Sequence, residues 1–226
     1  MHHLFSVTAD SVCHVILSNH IMALKSHYYN GLIEAGCDEA GRGCLAGSVY
    51  AAAVILPDDY DNPLLNDSKQ LTLTKRLALR EQILHDAVAW AVGICTPEEI
   101  DKINILKASH LAMRRAVEQL AVKPEGLIID GNMYTAGMPE GVREVKCIVK
   151  GDAKYQSIAA ASILAKTYRD DYMAELSKEY PYYGWEKNAG YPTKAHREGI
   201  RLHGISPYHR KSYNLMGTGE LTIEFE

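Results

Sequence analysis

Four acidic residues stand where apolar runs of the chain meet loops that contain glycine. They are Asp38, Glu39, Asp130 and Asp152. Adjacent carboxylates repel one another and lose hydration when they are buried, so a positive charge is expected to offset them. In α/β sheets, ligand sites gather at strand ends. We therefore expect the four carboxylates to converge at one edge of a sheet.

Clustered carboxylate oxygens suit a hard cation such as Mg²⁺, which keeps several waters and needs few protein ligands. Two such ions about 4 Å apart can activate water and stabilise the leaving oxygen in phosphodiester cleavage. Structural explanations remain open for two of the acids. Asp152 is suited to cap the helix that follows it, and Asp130 lies in an Ile-Asp-Gly-Asn turn. The doublet Asp38-Glu39 is harder to explain structurally.

The doublet lies between two apolar runs, residues 31–37 and 45–56, which we predict to be the strands of a hairpin. Gly41-Arg42-Gly43 would form its tight end, because glycine tolerates backbone angles that a Cβ forbids. Side chains alternate along a strand, so the two acids would point to opposite faces unless the backbone bends there.

Further along the chain, apolar periodicity, cap residues and breakers predict the remaining elements. Strands are expected at 87–95, 126–130 and 144–149, and helices at 72–86, from 96, at 104–121, 153–179 and 193–203. Strands come first and then alternate with helices, which indicates an α/β protein with a mixed sheet flanked by helices. We divide the chain into an N-terminal extension (1–30), a catalytic core (31–180) and a C-terminal helical substrate-binding segment with a tail (181–226).

The composition is ordinary for a globular protein of 226 residues, with 47% hydrophobic and 23% charged residues. Five dispersed cysteines without a CxxC pair favour reduced thiols, and no apolar run reaches the roughly 18 residues that span a membrane. We expect a cytoplasmic protein without a membrane partner. Although the formal charge is −4, residues 185–211 hold six Lys or Arg and two Glu. This segment, with His196, His203 and His209, is predicted to face an anionic partner or solvent.

The chain resembles the type 2 ribonucleases H, specifically the bacterial ribonuclease HII family. The matching motifs span about residues 32 to 213 in family order. They are Asp38-Glu39-Ala-Gly-Arg-Gly43, Asp67-Ser-Lys69, Ile129-Asp-Gly-Asn132, Gly151-Asp152 followed by 157–166, Gly190-Tyr191-Pro-Thr-Lys-Ala-His196 and His209-Arg-Lys-Ser212.

This resemblance implies a ribonuclease H-like fold with a C-terminal helical extension. It also implies endonucleolytic cleavage of the RNA strand of RNA–DNA hybrids and cutting 5′ of single ribonucleotides embedded in duplex DNA, as in ribonucleotide excision repair and primer removal. The four acids would be the catalytic metal ligands, holding two Mg²⁺ or Mn²⁺ ions when substrate is bound. Gly41, Arg42, Gly43, Lys69 and Tyr191 would bind substrate, with Tyr191 sensing the RNA–DNA junction.

The chemistry of these residues agrees with such roles. An enzyme that distinguishes RNA from DNA must contact the 2′-hydroxyl, which both donates and accepts hydrogen bonds. A glycine-flanked backbone can approach it closely, and Arg42 can fork onto a phosphate. Lys69 and Lys166 are suited either to contact phosphate or to lie in solvent. The run Ala159–Ala161 is predicted to serve close helix packing.

Three alternative protein classes differ from this chain in their motifs or domains. Type 3 ribonucleases H carry a substantial N-terminal domain, and their first motif tends to have lysine at the position of Arg42. Proofreading exonucleases usually separate their first two acids by one residue. A noncatalytic hybrid-binding module would be expected to have lost acids that this chain keeps. We expect a monomer, and residues 217–226 show no glutamine-led aromatic motif for a sliding clamp.

Overall fold

A computed structural model of the protein describes residues 24–65 and 71–217. Its centre is a five-stranded mixed sheet with helices on both faces, which confirms the predicted α/β class. The strands are β1 (Glu34–Ala40), β2 (Val49–Ile55), β3 (Ala89–Cys95), β4 (Gly126–Asp130) and β5 (Glu144–Ile148). The helices are α1 (Leu73–Asp86), α2 (Pro97–Ile103), α3 (Ile105–Gln119), α4 (Gln156–Glu179), α5 (Trp185–Asn188) and α6 (Lys194–His203). None of the helices within the described ranges is long and apolar enough to cross a membrane.

The strand order is β3-β2-β1-β4-β5. The first three strands form an antiparallel meander, and β4 and β5 then add to the free edge of β1 as parallel strands. Because β1 and β4 run in the same direction, their carboxyl ends lie side by side at one edge of the sheet. This topology brings Asp38 and Asp130 to the same edge.

Helix α3 packs on one face of the sheet, against β2 and β3, and α4 packs on the other, against β1 and β2. Ala40 and Ala52 are small residues on the face under α4. Ala159, Ala160 and Ala161 are fully buried against it, which confirms their predicted packing role. Gly36 on β1 also permits this close packing, because a Cβ there would overlap the backbone of Ser157. Small side chains therefore hold α4 close to the strand that carries the acidic doublet.

Local sequence signals placed the helices well. Threonine side chains at positions 72, 96 and 193 accept hydrogen bonds from the first turns of α1, α2 and α6. At Thr96 the capping box with Glu99 is complete. The prediction for the first strand was wrong, because β1 covers 34–40 rather than 31–37. The acidic doublet thus lies inside β1, where backbone pairing with β2 continues through Ala40.

The C-terminal segment packs on α4 through an aromatic cluster. Trp185 and Tyr183 are stacked with ring centroids 4.9 Å apart, and both are buried. Two histidines predicted to face DNA or solvent are instead part of this cluster, since His196 and His209 are fully buried. Arg210, counted above in the basic segment, is also fully buried. The basic character of this segment is therefore only partly available to a partner, and His203 is its one histidine on the surface.

Burial of the histidine pair has a consequence for stability in acid. Desolvation, together with the neighbouring His196, lowers the pKa of His209 from 6.5 to about 3. A depressed histidine pKa means that the unfolded chain takes up a proton before the folded chain does. Its contribution to stability is therefore complete above about pH 6.5 and is lost as the pH falls toward 3.

We expect this residue alone to reduce the free energy of unfolding by about 2 kcal/mol between about pH 7 and pH 5. Chemical denaturation at the two pH values measures the difference. His209→Gln should remove most of this pH dependence, whereas replacing the exposed His85 by glutamine should leave it unchanged. The same pH dependence in His209→Gln and in the wild-type protein would contradict the assignment.

Candidate active site

Strand register makes Asp38 and Asp130 neighbours. Cys37 on β1 is opposite Ile129 on β4 in a parallel pair, so the next position on each strand is an aspartate. Cys37 and Ile129 belong to the core cluster that packs under α3. Because side chains alternate, the two aspartates project from the opposite face, toward α4. Their proximity thus follows from the backbone.

Asp38 is deeply buried, with 5% of its surface exposed. Its pKa is raised well above the usual range, first by desolvation and then by the charges of Glu39 and Asp130. The hydroxyl of Ser162 on α4 and the backbone N–H of Glu39, at 2.7 Å, donate hydrogen bonds to it and oppose this rise. Asp38 therefore lies in a field of negative charge that these donors only partly offset.

Glu39 projects from the other side of the strand and pairs with the guanidinium of Arg42 at 3.1 Å. The carboxylate is largely shielded, with 11% of its side chain exposed, whereas 48% of the Arg42 side chain is exposed. Arg42 is thus held beside the acidic pair while its free face remains open to solvent. An exposed guanidinium in this position is available to a phosphate group.

Asp130 and Asp152 are linked through the loop after β5. The backbone N–H of Gly151 donates to Oδ1 of Asp130 at 2.6 Å, and the next residue is Asp152, which is 4% exposed. Asp152 lies in a short 3₁₀ turn, and Tyr155 occupies the N-cap position of α4. The explanation of Asp152 as the helix cap is therefore wrong. Its burial close to Asp130 leaves it among the candidate ligands.

The donor set fits a hard divalent cation, because carboxylate oxygens are the ligands such ions prefer. A cation here would also relieve the repulsion that raises the pKa of Asp38. Within 24–65 and 71–217, however, no three His, Cys, Asp or Glu side chains are arranged to hold one metal ion together. Instead, the carboxylates of Glu39 and Asp130 interact with donors of the protein itself. A bound cation would compete with these donors for the carboxylate oxygens.

The Gly-Arg-Gly turn directly follows β1. Gly41 has φ of +97°, a conformation that L side chains rarely adopt, and a Cβ there would overlap the guanidinium of Arg169. Nothing lies within 4 Å of the corresponding position on Gly43, so that side of the turn is open. The turn therefore presents bare backbone to solvent while a buried arginine supports it from below.

Tyr191 lies beside this turn. The residue is 40% exposed, and its hydroxyl donates a hydrogen bond to the thiol of Cys44. The backbone N–H of Leu45 donates to the carbonyl oxygen of Gly190 at 2.8 Å, so the two segments are also joined through their backbones. Burial raises the pKa of Tyr191 above its usual value, which keeps the phenol neutral. The structure thus brings two predicted substrate contacts together although about 150 residues separate them in the chain.

Two lysines predicted either to bind phosphate or to be solvated have different outcomes. Lys69 lies outside the described residues. Lys166 forms an ion pair with Asp170 at 2.5 Å, one turn along α4. Of the tyrosines between positions 180 and 183, Tyr183 is a core residue and Tyr182 is exposed and stacked on His203.

Sequence reasoning did not identify two arginines that support the site. Arg169 donates to the carbonyl oxygens of residues 46, 48 and 189, and Arg210 donates to those of residues 42 and 47. Both are buried, and the backbone oxygens that accept from them belong to the segments around the turn. A charged residue in a helix or a basic run predicts solvent exposure, so no local signal indicates this role.

Comparison with known proteins identifies the family of the chain. The sequence profile of ribonuclease HII matches residues 35–216. The ribonuclease HII of Parabacteroides distasonis is 66% identical over 202 residues, covering 89% of this chain and all of that protein. That of Bacteroides thetaiotaomicron is 65% identical over 194 residues, covering 86% of this chain and 96% of that protein.

Two solved structures share the fold. Ribonuclease H2 of Pyrococcus horikoshii superposes with a TM-score of 0.70 at 27% identity, covering 81% of this chain and 94% of that one. Ribonuclease HII of Archaeoglobus fulgidus, solved in complex with PCNA, gives 0.66 at 26% identity, covering 86% and 98%. The chain therefore belongs to the ribonuclease HII family, metal-dependent type 2 ribonucleases H that cleave the RNA strand of RNA–DNA hybrids.

Proposed function

We propose that this ribonuclease H also cuts duplex DNA on the 5′ side of a single embedded ribonucleotide, and that Asp38, Glu39, Asp130 and Asp152 hold two divalent ions, Mg²⁺ or Mn²⁺, for the reaction. The observation that supports the metal site most strongly is the parallel register of β1 and β4, which makes two aspartates neighbours on one face of the sheet. Asp38 and Asp130 are the central ligands in this proposal, and Glu39 and Asp152 complete the two sites.

When bound, the ions would supply an activated water and stabilise charge on the leaving oxygen. The chain's own residues do the rest. The buried carboxylates hold their positions because β1, β4 and the turn at 151–153 are packed against α4. Hydrolysis of the phosphodiester bond 5′ of the ribonucleotide would release a 3′-hydroxyl and leave a 5′-phosphate on the ribonucleotide. Water is the only co-reactant that this hydrolysis requires.

RNA would be recognised at the Gly-Arg-Gly turn. The 2′-hydroxyl needs close donors and acceptors, and the open side of Gly43 leaves backbone within reach of such a group. Arg42, half exposed and held by Glu39, is suited to bind the adjacent phosphate. Deoxyribose would make no equivalent contact, so recognition and cleavage would act on the same nucleotide.

Tyr191 would read the nucleotide that follows. Its ring is exposed beside the turn, where an aromatic face can stack on a neighbouring sugar or base. A 2′-hydroxyl on that next sugar would crowd the ring. The enzyme would thus prefer a ribonucleotide followed by a deoxynucleotide, which is the junction at an embedded ribonucleotide.

Mapping the cut in a duplex that carries one ribonucleotide tests this function. We expect a single cut 5′ of the ribonucleotide in the presence of Mg²⁺ or Mn²⁺, complete loss of cleavage with EDTA, and recovery when the metal is restored. An all-DNA duplex of the same sequence is the control. Cleavage that continues in EDTA, or a cut on the 3′ side of the ribonucleotide, would contradict the proposal.

We also propose that the protein acts as a cytoplasmic monomer on chromosomal duplexes, with the segment 181–217 contributing to duplex binding. The exposed part of that segment supports this role, since Lys187, Lys194 and Lys211 are on its surface.

A further inference from the structure

The two elements that recognise the substrate in the proposed function come from distant parts of the chain. Residues 41–43 form the turn after β1, and Tyr191 lies in the loop before α6. The group that contacts the 2′-hydroxyl and the group that contacts the next sugar must be held at a fixed separation. A misplacement of about 1 Å can lower the rate roughly 100-fold. What fixes this separation is therefore part of specificity.

A chain of buried hydrogen bonds leads from Tyr191 to His209. Nδ1 of His196 is 2.9 Å from the carbonyl oxygen of Tyr191, which can only accept, so Nδ1 carries the proton. Nε2 of His196 therefore has no proton, and it accepts from the indole N–H of Trp185 at 3.0 Å. Nδ1 of His209 accepts from the backbone N–H of Ser206 at 2.9 Å. The remaining proton of His209 is on Nε2, which donates to Nε2 of His196 at 3.1 Å.

These partners assign one tautomer to each histidine and leave no room for an additional proton. Burial lowers the pKa of both imidazoles, in agreement with this neutral pair. The groups that face the pair are the rings of Trp185 and Tyr183 and the polar atoms of Ser206. The carbonyl of Tyr191 is thus fixed by a fully specified network.

The next residue in the chain reaches the other recognition element. Arg210 is fully buried, and its guanidinium donates to the carbonyl oxygen of Gly47 through Nε and Nη2 and to that of Arg42 through Nη1, at 2.8 to 3.0 Å. Its backbone N–H also donates to the carbonyl oxygen of Leu45 at 2.8 Å. Lysine could not reproduce this fork, because its ammonium has no planar set of donors.

We propose that His209 and Arg210 are positioning residues that set the separation between Tyr191 and the Gly-Arg-Gly turn, and thereby the enzyme's preference for a ribonucleotide at an RNA–DNA junction. The inference rests on the proposed roles of these two elements. His209 contacts the Tyr191 side and Arg210 contacts the turn, and the two residues are adjacent in the chain. A displacement of the backbone bridge between Ala46 and His209 would therefore move both Tyr191 and the turn. Neither side chain touches the substrate in this proposal.

The test uses two substitutions at one position. His209→Gln keeps an amide donor that can reach His196, whereas His209→Asn keeps an acceptor for Ser206 but is too short to reach His196. We expect His209→Asn to lower kcat/KM on a duplex with one ribonucleotide about tenfold more than on a continuous RNA–DNA hybrid. His209→Gln should recover most of that difference. Equal losses on both substrates, without recovery in His209→Gln, would overturn the proposal.

A second measurement does not depend on activity. The thiol of Cys44 is fully buried and accepts a hydrogen bond from Tyr191, so displacement of Tyr191 should expose it. Alkylation of Cys44, followed by mass spectrometry of the intact folded protein, is expected to be about tenfold faster in His209→Asn than in the wild type or in His209→Gln. An unchanged rate would overturn the positioning proposal whatever the cleavage assays give.

Arg210→Lys provides the same test from the other side and remains decisive if His209→Asn does not fold. It should speed alkylation of Cys44 and lower kcat/KM on both substrates, because the Gly-Arg-Gly turn serves both. The loss should be larger on the duplex with one ribonucleotide, because the separation between the turn and Tyr191 also changes. Lys178→Arg, at an exposed position on α4 outside residues 181–217, is the control and should change neither quantity. Unchanged alkylation and cleavage in Arg210→Lys would overturn the role of Arg210. If Tyr191→Ala shows no substrate bias while alkylation responds as expected, the proposed role of Tyr191 fails and the positioning role stands.

Discussion

Asp38→Asn is expected to lower cleavage of an RNA–DNA hybrid by roughly 1000-fold, while binding of the hybrid changes by less than about threefold. The amide is similar in size to the carboxylate, but it removes a negative charge that a divalent ion needs. A loss of about 4 kcal/mol of transition-state stabilisation corresponds to this factor. Cleavage rates with saturating enzyme, and a binding assay in Ca²⁺ or EDTA, separate the two effects.

The same substitution should not destabilise the protein. Asp38 is buried beside the charges of Glu39 and Asp130, so a neutral side chain relieves repulsion when no metal is bound. We expect the unfolding temperature without metal to be unchanged or higher. Asp59→Asn, at an exposed position beyond the opposite end of the sheet, is the matched control for both measurements. Wild-type cleavage by Asp38→Asn in Mg²⁺ would refute the assignment of Asp38 as a metal ligand.

The sequence was sufficient for features that depend on neighbouring residues. Helix starts at Thr72, Thr96 and Thr193 follow from capping chemistry within one turn. The strands that carry the acids were recognised from their apolar runs, and the α/β class followed from their order. The end of β1 was misplaced because charged residues usually mark the end of a strand. Pairing of Asp38 and Glu39 with Ala52 and Ala51 on β2 overrides that local signal.

Features that depend on distant contacts could not be predicted. The side chain of Arg210 meets the carbonyl oxygen of Gly47 across 163 positions of the chain. His196 and His209 read as polar surface residues in a basic run, yet each is buried because the other supplies a hydrogen-bond partner. A buried polar group is stable only when its partners are present. Those partners become known only when the fold is known.

The acids are an intermediate case. Their types and positions at strand ends indicated a metal site, but the sequence alone could not show which acids are neighbours. The parallel register of β1 and β4 supplies that information for Asp38 and Asp130, because Cys37 is opposite Ile129. The network from Tyr191 to His209 supplies similar information for the recognition elements. At the acids the decisive geometry comes from backbone pairing, and in the network it comes from side-chain partners that the fold brings together.

Tyr191→Ala is expected to lower kcat/KM on a duplex with one embedded ribonucleotide by about 30-fold, and on a continuous RNA–DNA hybrid by less than about fivefold. Aromatic stacking on a nucleotide contributes roughly 1–3 kcal/mol. In a duplex with one embedded ribonucleotide, the enzyme can cut in one position only, and in that position Tyr191 stacks on the following deoxynucleotide. A continuous hybrid offers many registers, and in each the following sugar carries a 2′-hydroxyl that the ring does not favour.

Tyr191→Phe separates the ring from its hydroxyl. It keeps the stacking surface but loses the hydrogen bond to Cys44, so we expect a loss of less than about fivefold on either substrate. Tyr182→Ala is the matched control, because Tyr182 is exposed on the same C-terminal segment and stacks on His203. Steady-state kinetics on the two substrates, with the RNA strand of equal length and sequence context, measure the ratio. Equal losses of Tyr191→Ala on both substrates would remove its role at the junction, because a contact that serves only the following deoxynucleotide cannot affect both alike.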